Sequence, residues 1–265
     1  LKNMPRRSDR SLSPQDVLRV LQPLWQQKPE TASRLRGRIE AVIDSSRAAG
    51  HIIEGAPNPA RWAGHLEMIL PRPAKLSRGH HAAMAFAEVP KFLGELRRVS
   101  ENSTAALALE FTILTAARSG EVLGALWSEI DTVAKVWTVP ATRMKAAREH
   151  RVPLSEPALA IVEKFSRARR SDFIFAGQKA QKPLSNMAME MALRRMKIEG
   201  ATVHGFRSAF RDWAGEETHF PREIAEAALA HVIGDKAEQA YRRGDALEKR
   251  RALMDAWAAF CTSPT

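Results

Sequence analysis

The stretch Thr104–Ala117 constrains the fold most: Ala105, Ala106, Leu107, Leu109, Phe111, Ile113 and Leu114 leave it apolar on nearly every helical face. A helix of that kind is stable only when enclosed, so it predicts a central core helix. The neighbouring sequence offers the enclosing parts. Val89–Val99 carries helical apolar spacing, and helices are expected over Glu156–Ser166, Ser185–Lys197, His204–Glu216, Arg222–Ala230, a short stretch near Tyr241, and Leu247–Phe260. Lys135-Val136-Trp137-Thr138-Val139 is β-branched and aromatic and reads as a strand, with Glu149–Leu154 as its return strand. The fold class is therefore mainly α with a small antiparallel β-sheet.

With 265 residues the chain is long enough for two domains, each burying its own core. The first reads as short helices. Ser13-Pro14 with Asp16 is a helix start, followed by an apolar stripe of Val17, Val20, Leu21 and Leu24. A second helix from about Thr31 is expected to bury Leu35, Ile39, Val42 and Ile43, to stop at Gly50, and to carry Arg34, Arg38 and Arg47 on its other faces. Asn58-Pro59 and Trp62 open a third, weaker helical stretch, which gives way to Leu70-Pro71-Arg72-Pro73-Ala74-Lys75, a sequence suited to an extended linker. The reading is a helical domain over residues 1–75, a linker over 76–87 and a second domain over 88–265.

Lys and Arg number 41 against 30 Asp and Glu, a formal charge of +11, so a polyanionic partner is the natural inference, with a solvated basic surface as the plain alternative. The excess concentrates early: residues 1–87 hold 14 cationic against 7 acidic side chains. Cys261 is the single cysteine, which excludes an internal disulfide and a thiolate zinc site and fits a reducing, cytoplasmic setting. No apolar run approaches the roughly 20 residues that span a bilayer. Because the chain begins at Leu1 rather than Met, it is expected to be a fragment.

Six residues carry chemistry in this order: Arg118, Lys145, His204, Arg207, His231 and Tyr241. Each has an ordinary structural explanation when taken singly. Arg118 follows the apolar helix and precedes Ser119-Gly120-Glu121, so its guanidinium is expected near the core beside a carboxylate. Lys145 lies between the two strands, where most lysines are merely solvated. His204 and Arg207, three apart, share one helical face and can address a single ligand group. His231 stands at an expected helix C-terminus, where a capping histidine is common. Tyr241, the only tyrosine, is followed by Arg242 and Arg243, cations that suit an arriving phosphate.

Together these positions resemble the tyrosine recombinase, or phage integrase, family, and within it the branch of satellite phages and genomic islands. Four stretches carry the resemblance. Thr115–Val122 with Trp127–Asp131 is similar to the first arginine motif. Arg143-Met144-Lys145 with His150–Ser155 is similar to the hairpin bearing the family lysine. Val203–Arg207 is similar to the second arginine box, and Leu229-Ala230-His231 with Ala240-Tyr241 to the histidine and nucleophile. The likeness runs through nearly all of residues 88–260. It departs at Lys145-Ala146-Ala147-Arg148, where relatives look more basic, and it is loose over residues 1–75, the place of a core-binding domain. The arm-binding domain expected ahead of it in this branch is not in the sequence.

The resemblance implies an integrase that cleaves and rejoins DNA through a 3′-phosphotyrosyl intermediate on Tyr241. It assigns Arg118 and Arg207 to the phosphate oxygens, His204 to base or proton relay, His231 to orienting phosphate or tyrosine, and Lys145 to protonating the departing 5′ oxygen. It implies no cofactor or metal, double-stranded attachment sites as substrate, a homotetramer in the synapse, and accessory DNA-bending proteins as further partners. Two alternatives share the sequence features: a type IB topoisomerase-like strand transferase, and a catalytically silent DNA-binding architectural protein. A metal nuclease is disfavoured because no carboxylate cluster at ligand spacing is visible.

Overall fold

The computed structural model describes residues 12–51, 57–72, 83–100, 103–179, 181–231 and 244–264. The chain divides into two compact units, Leu1–Arg78 and Gly79–Thr265.

In the first unit, Ser13 caps α1 (Pro14–Trp25) through a reciprocal pair: its hydroxyl accepts from the Asp16 amide, and the Asp16 carboxylate accepts from the Ser13 amide at 3.1 Å. The buried stripe is Val17, Leu18, Leu21 and Trp25, while Val20 and Leu24, expected inside, are only partly covered. α2 (Pro29–Ala48) buries Ala32, Ile39 and Ile43. Val42, also expected inside, is 65% exposed. The third helical stretch expected after Asn58-Pro59 is a run of turns with one 3₁₀ turn, Leu66–Met68. Side-chain staples hold it: Asn58 Nδ2 donates to the Glu40 carbonyl at 2.9 Å and to Asp44 at 2.6 Å, and Arg36 donates to the Ala60 carbonyl at 2.7 Å. Trp62 stacks on Trp25 at 5.6 Å, and the Trp25 indole donates to the Pro71 carbonyl at 2.8 Å.

The second unit is built around α4 (Thr104–Thr115), whose residues Ala108–Thr115 are all buried. α3 (Val89–Ser100) packs against it, and Arg97 pairs with the buried Glu110 at 2.6 Å. The short α5 (Ser119–Leu123) follows α4 after a turn in which Ala116 takes the left-handed conformation, φ 49°. Next comes a three-stranded antiparallel sheet in the order β1 (Ile130–Asp131), β2 (Val136–Val139), β3 (His150–Pro153). The register sets Trp137 opposite both Ile130 and Val152, and Val139 opposite His150. Sequence patterning anticipates β2 and β3. The two-residue β1 is too short for an alternating signal and forms because the Asp131 carboxylate accepts from the Val133 and Ala134 amides, closing the turn into β2.

Among the described residues the unit continues with α6 (Glu156–Ser166), α7 (Ala188–Arg195), α8 (Gly205–Glu216), α9 (Arg222–Ala228) and α10 (Leu247–Cys261). The short helix expected near Tyr241 falls outside the described residues. α10 lies against α4, with the Trp257 indole donating to the Ile113 carbonyl at 2.8 Å, and it joins α8 through an aromatic cluster of Trp213, Trp257 and Phe260. The Cys261 thiol is buried at the end of α10, and burial pushes its pKa up. Among the described residues no helix is long and apolar enough to cross a membrane.

Candidate active site

Three segments of the second unit meet at one place: the turn between α4 and α5, the first turns of α8, and the residues that follow α9. Arg118 precedes α5. Its backbone amide donates to Glu121 Oε2 at 2.9 Å, and its guanidinium donates to Glu121 Oε1 at 2.8 Å. One buried carboxylate therefore caps the helix and fixes the arginine, as the sequence suggests. The other side of the guanidinium reaches the Ala230 carbonyl at 3.5 Å.

Arg207, within α8, is 5% exposed. Its Nη1 donates to the Ala116 carbonyl, and its Nη2 donates to the Leu229 carbonyl at 2.7 Å. A planar fork can hold two carbonyls from segments far apart in sequence, which a single ammonium cannot do. Burial first, and the like charge of Arg118 second, lower the Arg207 pKa to about 10. Two guanidiniums thus rest on the consecutive carbonyls of Leu229 and Ala230 and raise each other's electrostatic energy. An anion bound between them would relieve that repulsion.

α9 ends at Ala228, and Leu229-Ala230 form a turn in which Ala230 is left-handed, φ 51°; His231 follows it and closes the helix end with its backbone amide, which donates to the Glu226 carbonyl at 2.9 Å. The His231 ring bridges two groups. Nε2 faces Arg207 Nη2 at 3.4 Å, and Nδ1 is 2.6 Å from Glu226 Oε2. Glu226 also pairs with Arg211 at 2.8 Å. Burial acts to raise its pKa, but the His231 hydrogen bond and the Arg211 charge outweigh it and hold the carboxyl below its ordinary value. Sequence reading does not single out Glu226, because a glutamate on a short helix five residues before a histidine carries no distinguishing signal.

Two further residues support this floor. Arg143 donates to the Glu121 carbonyl at 2.9 Å and pairs with Glu129, which also accepts from the Trp137 indole at 3.0 Å. Gly124 makes room for it, since a Cβ there would stand 2.6 Å from Arg143 Nη1. His150, on β3, places Nε2 3.3 Å from the Ala228 carbonyl. Burial, and then the Arg250 charge, lower its pKa to about 4. A folded-state pKa below the ordinary value of 6.5 gives stability that is complete above pH 6.5 and is lost as pH falls towards 4. The expected loss from this group is about 2 kcal/mol by pH 4.5. Denaturant unfolding at pH 7 and pH 4.5 should show His150→Gln losing correspondingly less than the parent chain, and equal losses would contradict this account of the histidine.

Lys145 is exposed in the connection between β2 and β3. His204 is exposed and is the residue immediately before α8, with helical backbone angles; its carbonyl accepts from the Arg207 amide at 3.1 Å, and the first amide of α8 is held by the Thr202 hydroxyl at 3.0 Å. Tyr241 lies outside the described residues. Asp245 is clamped: Arg151 binds its carboxylate through two hydrogen bonds of 2.7 and 2.8 Å, and the fully buried Arg250 adds a third at 2.8 Å. Among the described residues no group of three His, Cys, Asp or Glu side chains stands at metal-ligand spacing.

The sequence profile of the phage integrase family matches residues 83–247, a span holding every residue of this cluster, and that of the phage integrase central domain matches residues 4–65. The chain belongs to the phage integrase family. Among curated integrases it is 34% identical over 232 residues to prophage integrase IntA of Escherichia coli K12, covering 86% of this chain and 54% of that protein. To the integrase of Enterobacteria phage P4 it is 28% identical over 252 residues, covering 88% and 55%, in accord with the branch that the motifs resemble. This integrase chain thus spans little more than half the length of either relative. Two solved structures of lambda integrase, a dimer bound to a COC′ core site and a tetramer bound to a Holliday junction, share its fold with a TM-score of 0.59 each. Their identities are 19% and 17%, and the alignments cover 89% of this chain and 86% and 68% of theirs.

Proposed function

We propose that this chain is the core-binding and strand-cleaving part of a site-specific DNA recombinase that integrates or excises a mobile element through a 3′-phosphotyrosyl intermediate on Tyr241. The observation that carries the reading is the pair of guanidiniums, Arg118 and Arg207, held on the neighbouring carbonyls of Leu229 and Ala230 beside His231. A phosphodiester resists attack because its anionic oxygens repel nucleophiles and its alkoxide leaves poorly, so a site using only side chains must supply cations, a nucleophile and an acid.

In this mechanism Arg118 and Arg207 bind the non-bridging oxygens with hydrogen bonds that strengthen as charge grows on them. The Tyr241 phenol passes its proton to His204 while its oxygen bonds to phosphorus. The P–O5′ bond breaks, and the ammonium of Lys145 gives a proton to the departing oxygen. His231 orients the phosphate or the tyrosine. The phosphotyrosyl bond conserves the bond energy, so a 5′ hydroxyl from a partner duplex reverses the step without ATP or metal. Residues 1–75 and 88–265, joined by 76–87, each hold the duplex by phosphate contacts, and four copies form the synapse. The site of action is the bacterial chromosome in the cytoplasm, with accessory DNA-bending proteins as further partners.

Two assays test this reading. With paired attachment sites the chain should yield recombinant joints, and with a supercoiled plasmid lacking such sites it should leave the topoisomers unchanged. Relaxation without joints would replace the recombinase reading by a topoisomerase, and DNA binding with neither activity by an architectural protein.

The general-acid role has its own signature. Lys145→Ala should slow cleavage of an ordinary strand by about 10²-fold or more. It should recover most of that rate when sulfur replaces the bridging 5′ oxygen, because a thiolate departs without protonation. Arg118→Ala should show no such rescue. Equal rescue of both variants, or of neither, would remove Lys145 from that role.

A further inference from the structure

We propose that Glu226 is a positioning residue of the strand-cleaving site: it fixes the tautomer and ring orientation of His231, so that Nε2 is presented to the phosphate position beside Arg207. The inference rests on the recombinase reading and deepens it.

The geometry is that of a histidine held from behind. Glu226 Oε2 stands 2.6 Å from Nδ1, and Glu226 is mostly buried, with its side chain 13% exposed. An ionised carboxylate can only accept, so this contact places the hydrogen on Nδ1. Nε2, 3.4 Å from Arg207 Nη2, is then left with its lone pair towards the guanidinium, which can only donate. A ring flipped by 180°, or the other tautomer, would lose both contacts together. His231 is 41% exposed and follows the last turn after α9, so these two contacts set the orientation of its ring.

Glu226 is itself fixed independently of the histidine. Arg211 on α8 lies 2.8 Å from Oε1, and Arg222, one turn earlier on α9, lies 3.8 Å away. The carboxylate therefore ties α9 to α8, the helix that carries Arg207, and couples the histidine's orientation to the arginine's position. A surface ion pair serving only to join two helices would use Oε1 and the arginines. The short bond from Oε2 to the imidazole adds nothing to that joining, and its consequence is felt at Nε2.

The test uses the free protein and a suicide duplex in parallel. In protein labelled with ¹⁵N at histidine, with the His231 signals assigned by their loss in His231→Gln, the two-bond ¹H–¹⁵N pattern reports which ring nitrogen carries the hydrogen. The parent chain should show the Nδ1–H form. Glu226→Ala should give a mixture with Nε2–H and lower covalent cleavage on the order of 10- to 100-fold, the scale of losing an outer-shell partner of a functional histidine. Glu226→Gln retains an acceptor oxygen and should keep the Nδ1–H form and most of the cleavage rate. Arg211→Ala, which breaks the helix tie alone, should leave the tautomer unchanged.

Retention of the Nδ1–H form in Glu226→Ala would overturn the proposal, as would equal losses of cleavage in the Ala and Gln variants with an unchanged tautomer. If the parent chain itself forms no covalent adduct, the recombinase reading fails, whereas the tautomer comparison still decides whether Glu226 orients the ring.

Discussion

Arg207→Lys is expected to lower strand cleavage at least about 100-fold while changing DNA affinity by no more than a few fold. The reason lies in shape rather than charge. The guanidinium donates to Ala116 at the end of α4 and to Leu229 after α9, so it fixes two segments relative to each other while presenting a nitrogen to His231. An ammonium keeps the positive charge that DNA feels at a distance but can occupy only one of those places. In Arg207→Ala both carbonyls lose a charged donor, each at a cost of roughly 1–3 kcal/mol if it finds no replacement. That variant should therefore be less stable in denaturant unfolding as well as inactive. Affinity is set chiefly by the many phosphate contacts spread along a duplex, so removing one buried cation changes it little. Single-turnover cleavage of a suicide duplex, with binding measured beside it, checks the split. Cleavage within a few fold of the parent in Arg207→Lys would mean that the fork does not hold the reacting phosphate.

Sequence patterning discloses the parts of this molecule that depend on local composition. α4 is legible because a fourteen-residue stretch apolar on all sides has no stable place except a core, and β2 and β3 because Val136-Trp137-Thr138-Val139 and its return strand favour a pleated surface. The Arg118–Glu121 pair is also foreseeable, since N-cap and N3 positions meet in any helix. What escapes is set by distant partners. Val42 has the spacing of a core residue, but among the described residues it is left 65% exposed. The 57–72 region is held by Asn58, Arg36 and two tryptophans instead of helical periodicity. Within the site, Arg118, Arg207 and His231 come together as their order implies. Glu226 and His150 become visible only when α9 and β3 deliver their neighbours to the same carbonyl-lined floor. Lys145 and His204, both between Arg118 and Arg207 in sequence, are exposed, and their roles rest on resemblance.

Cleavage by the proposed mechanism requires covalent attachment of DNA to Tyr241, the one tyrosine in the chain. Tyr241→Phe removes a single oxygen and keeps the ring, so it should abolish the adduct while leaving DNA affinity within about twofold, because the phosphate contacts that dominate affinity are untouched. The direct measurement is to incubate the chain with a nicked suicide duplex from the element's end, isolate the species retarded on a denaturing gel, digest it with protease and nuclease, and locate the nucleotide adduct by mass spectrometry. A phosphotyrosyl linkage is expected within the peptide containing Tyr241, with no retarded species for Tyr241→Phe. An adduct on any other residue, or one persisting at normal yield in the Phe variant, would contradict it.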